Sequence, residues 1–581
     1  MGLLSSLKPQ GDVAVVSTKS LEGGSVEDVS GFKQDEKGAP VEKVSPLGYD
    51  VGWFGILFIN CSQMIGTGIF STPGTILSLV GSVGLSLMYW LIGVLIAAAG
   101  LAIYMELGCM FPNRSGAEVV YLEQAYPRPK YFFPAAFAVF SVLLSFSSSN
   151  AIVLGQYLYS AGGVEPTDWQ TKGLAIAGMS VVIFVSLISN KFAMRVSNVI
   201  AAAKLITLTF VAITGLVVLG GHTSIQDPRA NFHRVWDGTS RNGNAYANAL
   251  VKINFSFSGY TNAFNVMAEI KDPVRKMNVA APVSLAIVSV LYNLANIAYL
   301  AVIPKDEMAS SAQLTAAVFF QRVFGYSAGA RVLPPLVAIS AFGNMLSDTI
   351  AGSRVIRECA RQGILPYPAF WSSTRPFGTP LAPLLLKYGL TILVILACPT
   401  GDAFNFVVDI QSYPYQIFAL ACTVGLFILR RRRHSQGITR VEFECWNIAA
   451  LFSILVNIFL LVMPWYPPEG GADGGDVSFW YATYCVVGLG IMGACGVYYV
   501  LWVKVLPYFG GYQIRQEVIQ LPDGARTHHL VKVPDAELAE WDAVHDEEGN
   551  IIPQGGDSGE NEEKLDDQKD GEGLDVDINK A

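Results

Sequence analysis

The sequence predicts an all-α integral membrane protein of about twelve transmembrane helices, the first and sixth of them broken. Three observations carry the prediction. Hydrophobic residues make up 52% of the chain against 15% charged, with a mean hydropathy of +0.40, more apolar surface than soluble domains of this length would bury. Twelve apolar stretches, each of about the 20 residues that cross a bilayer at 1.5 Å per residue, follow one another from residue 52. Two of these stretches, five apart, are interrupted in mid-course by small and polar residues.

Taken in order, residues 1–49 are rich in Gly, Ser, Lys and Glu, lack an apolar signal-peptide core and predict a disordered tail. The membrane domain runs over 50–507. Its apolar spans are 52–80, 84–111, 132–161, 172–189, 197–220, 244–270, 279–303, 331–359, 381–398, 402–429, 445–464 and 479–506. Alternate loops are rich in Arg and Lys, among them Arg114, Arg128 and Lys130, then Lys191 and Arg195, then Lys271, Arg275 and Lys276, and finally the arginine run 430–433. The positive-inside rule places these loops and both chain ends in the cytoplasm. The segment 508–581 is an acidic tail: from Asp535 onward 17 acidic residues face 3 lysines, a net of −14 in a chain of −8, so the rest carries +6. The basic run is one short loop beside the lipid bilayer, which argues against nucleic acid as a partner. Eight cysteines lie mostly in apolar spans without CxxC or nearby histidines, so no metal site and no cofactor is expected. The absence of GxSxG, P-loop and HExxH patterns argues against an enzyme.

The first interruption is Gly66-Thr67-Gly68 inside NCSQMIGTGIFSTP (60–73). Alone it is compatible with close helix packing as well as with binding. The second, NFSFSGYTN (254–262), stands in the corresponding place of the sixth span. Broken helices in matching positions suggest a 5+5 inverted repeat with a binding site at its interface. Amides of Ile65, Gly66, Thr67, Gly68 and Ile69 open a half-helix whose positive end suits a carboxylate. Carbonyls freed at Phe255, Ser256, Phe257 and Ser258, next to Gly259, suit an ammonium. The pair therefore matches the two ends of an α-amino acid.

Ionisable residues within the spans are costly, about 2.5–3.5 kcal/mol each on insertion scales. Four stand out: Glu106, Lys204, Glu269 and Asp348. Glu106 and Glu269 close their spans and fit either interfacial water or the bundle interior. Lys204 fits either snorkelling to the surface or a contact with carbonyls or a carboxylate inside.

MIGTGIF followed by TPG, YMELGCMFPNRSGAEVVYLEQAYP, FSFSGYTNAFNVMAEIKDP and SRVIRECARQGILP together resemble the amino acid–polyamine–organocation superfamily. Within it the chain is similar to the L-type amino acid transporter group, and most of all to the fungal high-affinity methionine permeases. The resemblance implies a leucine-transporter-type fold working by alternating access at the plasma membrane. It also implies an amino acid substrate, methionine or other neutral amino acids, imported with protons. Carried over by position, 65–69 match the carboxylate-binding stretch and Phe255, Ser256 and Ser258 the amine-binding stretch. An aromatic at Phe255 or Phe257 matches the gate over the substrate, and Tyr292 is a further pocket candidate. Lys204 matches a lysine that stands where sodium-coupled relatives hold sodium. With Glu106 and Glu269 it makes up the candidates for the proton-responsive group.

Three departures qualify the resemblance. The loop 162–171 lacks the cysteine that links animal L-type transporters to a glycoprotein, so no disulfide-linked partner is expected. Ser258-Gly259-Tyr260 replaces Gly-Gly-Trp, and Ala268 replaces the first of two paired glutamates. An exchanger and a non-transporting amino acid receptor stay open beside symport. The family also implies ubiquitination at tail lysines such as Lys8, Lys19, Lys33, Lys37 and Lys43, although a solvated tail with no specific role fits the composition equally.

Overall fold

The computed structural model describes residues 47–552 apart from 50, 165, 222–224, 226, 312–313, 333, 366, 398–399, 438–440, 469, 472–479, 521–525 and 547–548. The five tail lysines named above lie outside the described residues.

The described residues are mostly helical. The first span is divided into α1 (Trp53–Met64), α2 (Gly68–Ser71) and α3 (Pro73–Val80), and the second is α4 (Val83–Met110). A connecting helix α5 (Glu118–Ala125) precedes α6 (Phe132–Leu143) and α7 (Ser148–Gly162), which share the third span. Then come α8 (Asp168–Ile188), α9 (Asn190–Leu219) and α10 (Gly243–Phe257), the last running into a 3-10 segment, Asn262–Glu269. The seventh span is α11 (Pro273–Val302), followed by the short α12 (Lys305–Ser310) and α13 (Thr315–Val332). The eighth is α14 (Pro334–Arg361); α15 (Pro368–Ser372) leads to α16 (Leu381–Ala397), α17 (Thr400–Ser435), α18 (Asn447–Val462) and α19 (Thr483–Val500).

All twelve predicted spans are therefore occupied by helix. Among the described residues, nine are long and apolar enough to cross a membrane unaided. The other three depart for visible reasons. α10 stops at 15 residues because it breaks, and α16 has only 17. α14 is long, but it carries Asp348, Arg354, Arg357, Glu358 and Arg361 on a helix whose neighbours bury most of it.

One departure from expectation lies in the third span, read from sequence as a single stretch. It is interrupted at 144–147. Ser145 and Ser147 offer the backbone local alternatives to helical bonds, and the freed groups are taken up by neighbours. Gln411 Nε2 donates to the carbonyls of Leu144 (3.1 Å) and Phe146 (2.7 Å), and the Ser147 amide donates to Thr391 Oγ1 (3.2 Å).

The described chain ends lie at one face of the bundle, called here the terminal face. Leu47 accepts a hydrogen bond from Asn190 there, and Val51 pairs with Ile270. On the same face, beyond α20 (Leu506–Gly510), an antiparallel hairpin of β1 (Tyr512–Gln520) and β2 (Arg526–Pro534) precedes α21 (Leu538–Val544). Tyr131 donates to Gln516, and Leu530 and His528 pack on Gly363 just beyond α14. At the opposite face the α3–α4 turn bonds the 235–240 loop, and Asn244 bonds Pro464.

Charged residues inside the bundle act as ties between helices. Glu269 accepts from Arg354 Nε at 2.9 Å and from Asn190 at 3.0 Å, with both members of the ion pair buried. Glu106 accepts from Arg430 (2.7 Å) and from the Cys445 amide (2.7 Å). Breaking such a pair leaves an uncompensated charge, whereas replacing both members is far milder. Arg354→Leu is therefore expected to destabilise the bundle by about 3–5 kcal/mol, and Glu269→Leu/Arg354→Leu by much less. Unfolding temperature in detergent separates the two; equal losses would refute the pair as a tie.

Candidate functional site

The two interruptions meet in the middle of the bundle. α1 ends at Met64, and Ile65 leaves helical geometry (ψ 75°) before helix resumes at Gly68. α10 ends at Phe257 and turns through Ser258 and Gly259, whose φ of +113° falls in the left-handed region. A Cβ on Gly259 would stand 2.3 Å from Gln63 Cγ, and one on Gly68 would stand 2.8 Å from Ser256 Cα. Each glycine thus lets one broken helix lie against the other. Thr72 and Ser256 share a hydroxyl–hydroxyl bond of 2.9 Å across the contact.

Tyr292 of α11 holds both breaks. Its hydroxyl is within hydrogen-bond distance of the Met64 carbonyl (2.5 Å) and the Ser256 carbonyl (3.0 Å). Phe257 packs behind it, 5.1 Å from the Tyr292 ring and 6.1 Å from Trp90. Asn344 donates to the Gln63 carbonyl, Ser340 to the Ile65 carbonyl (3.0 Å), and Thr67 to Asn150 Oδ1 (3.0 Å).

What these bonds leave over defines the site. The amides of Ile65 and Gly66 are consumed by Cys61 and Met64 carbonyls, at 2.8 and 2.7 Å. Among the described residues, the amides of Thr67, Gly68 and Ile69 meet no backbone acceptor. At the second break the Phe255 carbonyl takes the Ser258 amide and the Ser256 carbonyl takes Tyr292. The carbonyls of Phe257 and Ser258 meet no donor among the described residues. One break thus carries free donors and the other free acceptors, and the two breaks meet at the Gly68–Ser256 contact, an arrangement suited to a zwitterion.

A cavity of about 310 Å³ lies against this junction and extends toward the terminal face, within the size range of small-molecule sites. Of the residues singled out from sequence, Gly66, Thr67, Gly68, Phe255, Ser258 and Gly259 line it. Ile65, Ile69, Ser256, Phe257 and Tyr292 stand behind that lining, all buried. The gate alternatives thereby separate: Phe255 faces the cavity and Phe257 is packed away. Phe140, Asn150, Asn344, Asp348, Lys387 and Gln411 also line it. Those residues were not read from sequence as part of the site, although the polar run SFSSSN (145–150) in an apolar span was a usable signal.

Glu118 of α5 lies toward the mouth of the cavity and accepts from the Tyr104 (2.5 Å) and Tyr415 (2.9 Å) hydroxyls. Burial raises its carboxyl above the ordinary carboxylate value, against the pull of those hydrogen bonds.

The three residues singled out for coupling lie outside the lining. Glu106 and Glu269 are engaged in their ion pairs. Lys204 points inward, 1% exposed, and donates to the Ser62 carbonyl at 2.6 Å and to Ser62 Oγ at 3.3 Å. Helix α1 ends two residues later, so its last carbonyls lack intrahelical donors. A cation there also offsets the negative end of the helix dipole. On the other side of the junction, Lys252 of α10 and Asp409 of α17 form a buried ion pair of 2.8 Å.

The model of one known family, described as amino acid permease, matches residues 51–491. The chain is 34% identical to the high-affinity methionine permease of Saccharomyces cerevisiae, covering 86% of this chain and 88% of that protein. It is 29% identical to the low-affinity methionine permease of the same yeast, over 84% and 89%. A b(0,+)-type amino acid transporter 1 from Mus musculus is 30% identical, over 74% and 86%.

The Gly68–Ser256 contact gives a direct test of the site. Gly68→Ala places a methyl against backbone that has no room to yield, so the free amides and carbonyls are forced apart. A ligand at 100 times its Kd stabilises a protein by about 2.7 kcal/mol. That rise, read as the shift in unfolding temperature on adding a neutral α-amino acid, is expected for the unaltered chain and lost in Gly68→Ala and Gly66→Leu. An unchanged shift in both variants would place the ligand elsewhere.

Proposed function

Because the chain belongs to the amino acid permease family, we propose that it imports methionine, with other neutral amino acids, across the plasma membrane in symport with protons. The observation that carries this reading is the pairing of free amides at 67–69 with free carbonyls at 257–258. The substrate carboxylate is held by the first set and its ammonium by the second. Recognition of both ends by backbone makes the site general for α-amino acids. The apolar lining of Phe140, Leu144, Phe146 and Phe255 then favours an unbranched, uncharged side chain such as a thioether. The names of the two yeast relatives support methionine among the candidates.

Alternating access follows from the position of the cavity. The terminal face, which carries the Arg- and Lys-rich loops and the described chain ends, is the cytoplasmic one. The cavity reaches toward that face, while Lys252–Asp409 and the packed Trp90, Phe257 and Tyr292 close the other. This is the inward-facing arrangement, and the outward one requires α1–α3 and α10 to shift as a pair, since Tyr292 links them. Lys204 supports coupling to protons instead of sodium. Its amine donates to the α1 carbonyl terminus, and a positive charge on the donor strengthens that bond, so gain or loss of one proton changes how firmly α1 is held.

Uptake of labelled methionine into proteoliposomes tests the reading. An inward-directed pH gradient is expected to raise accumulation above the equilibrium level, and an uncoupler to abolish the rise. Indifference to both would remove symport and favour exchange. Lys204→Ala is expected to lower gradient-driven uptake about tenfold or more, as the loss of a hydrogen bond to a charged group of about 1.5–3 kcal/mol implies. Unchanged driven uptake would dissociate Lys204 from coupling.

A further inference from the structure

Asp348 shares the cavity with the two breaks but takes no part in their contacts, and two helices repeat a pattern around it. Asn150 of α7 meets Thr67 of the first break, and Ser147, the residue that opens α7 three positions earlier, donates to Asp348 Oδ2 at 2.5 Å. On α14, Asn344 donates to the Gln63 carbonyl, and Asp348 lies four residues further along. Residues three and four apart share a helix face. The Ser147–Asp348 layer therefore lies under the Asn150–Asn344 layer, about 6 Å nearer the terminal face at 1.5 Å per residue. All four residues line the cavity.

The second layer is built around one carboxylate with unequal oxygens. Oδ2 is held by Ser147 and by Lys387 Nζ at 2.6 Å; Lys387 is buried and Asp348 keeps 33% of its side chain open. Gly352 leaves room for that lysine, because a Cβ there would stand 3.1 Å from Nζ. Among the described residues Oδ1 has no donor. The interruption of the third span at 144–147 lies beside it, and irregular backbone at membrane depth is tolerated where it lines a cavity. A fixed carboxylate with one free oxygen facing a cavity is an acceptor for a charged donor. Lys387 already offsets much of its charge, so a cation is held loosely enough to leave again, as passage requires.

We propose that Asp348 anchors a second station for ammonium groups, one helical turn from the breaks, where Oδ1 accepts from an amino acid in transit. The proposal rests on the amino acid permease reading of the main site. Two sources present this chemistry: the α-ammonium that every substrate carries, and the terminal ammonium of a cationic side chain. L-Lysine and L-norleucine distinguish them, since both side chains have four carbons in line and only lysine's ends in an ammonium.

The experiment compares the unaltered chain with Asp348→Asn and with Asp348→Asn/Lys387→Gln in proteoliposomes. The double variant leaves no buried ammonium unpaired and so guards against misfolding. Competition of labelled methionine uptake by lysine and by norleucine is measured, with efflux of preloaded methionine alongside. If the side-chain ammonium occupies the station, the concentration of lysine for half-inhibition rises about tenfold in the variants, as the loss of one charge-assisted hydrogen bond implies, while that of norleucine holds. If the α-ammonium occupies it, methionine efflux changes several-fold and both competitors shift together. Unchanged lysine competition and unchanged efflux in both variants would overturn the station while leaving the main site standing. Failure of the unaltered chain to take up methionine or norleucine would overturn the substrate reading, and the station with it.

Discussion

Backbone without water is the constraint on which the rest of this structure depends. In a bilayer every amide and carbonyl released by a broken helix has to find a partner in protein or ligand. Here the release occurs at 65–67, at 144–147 and at 258–261, and the surrounding helices are disposed to satisfy it. The single Tyr292 hydroxyl proton is shared between two carbonyls, Ser340 and Asn344 take two more, and Lys204 takes the Ser62 carbonyl one turn earlier. The groups that remain are few, of opposite polarity and adjacent to a cavity. In the proposed function these are the groups that the substrate partners.

The buried charges fit the same logic. Each costs free energy to place in a membrane, yet most of those described join helices far apart in sequence. Arg430 reaches Glu106 across 324 residues, and Lys252 reaches Asp409 across 157. Such pairs contribute little net stability over apolar packing, so their value lies in fixing which helices stay together. Glu269–Arg354 ties the 3-10 segment after the second break to α14, while Lys252–Asp409 ties α10 before that break to α17. A rearrangement that exposes the cavity at the other face has to strain one of these ties while sparing the other.

Much of this was legible in the sequence, for identifiable reasons. The spans follow from composition alone, and the two breaks follow from glycines in otherwise apolar helices, where their cost calls for an explanation. The third break escaped because serines sit in helices without obvious penalty; only the neighbours Gln411 and Thr391, more than 240 residues away, turn the run into an interruption. The assignment of 65–69 as one carboxylate stretch narrowed for a similar reason. Whether an amide is free depends on the turn geometry, and Gly66 spends its own on Met64. Partner identities for Glu106, Glu269 and Lys204 carry no local signal, so the interior and interfacial readings were indistinguishable until the helices were placed.

The division of labour between backbone and side chains has a consequence for selectivity. In the proposed binding mode the ends of the amino acid meet main-chain groups that no substitution removes, short of one that moves the backbone. Choice among substrates is therefore left to side chains on α6, α7, α14 and α17, which line the cavity opposite the breaks. Those helices can change their lining without disturbing Tyr292 or the Gly68–Ser256 contact. A permease built this way can keep one mechanism while its substrate range drifts. Asp348 shows how far such drift is open here: with its lysine it adds a charged layer to a lining otherwise uncharged apart from Glu118, where Asn150, Asn344 and Gln411 stand beside Phe140, Phe146 and Phe255, and neither charge bonds a free pole of the backbone site.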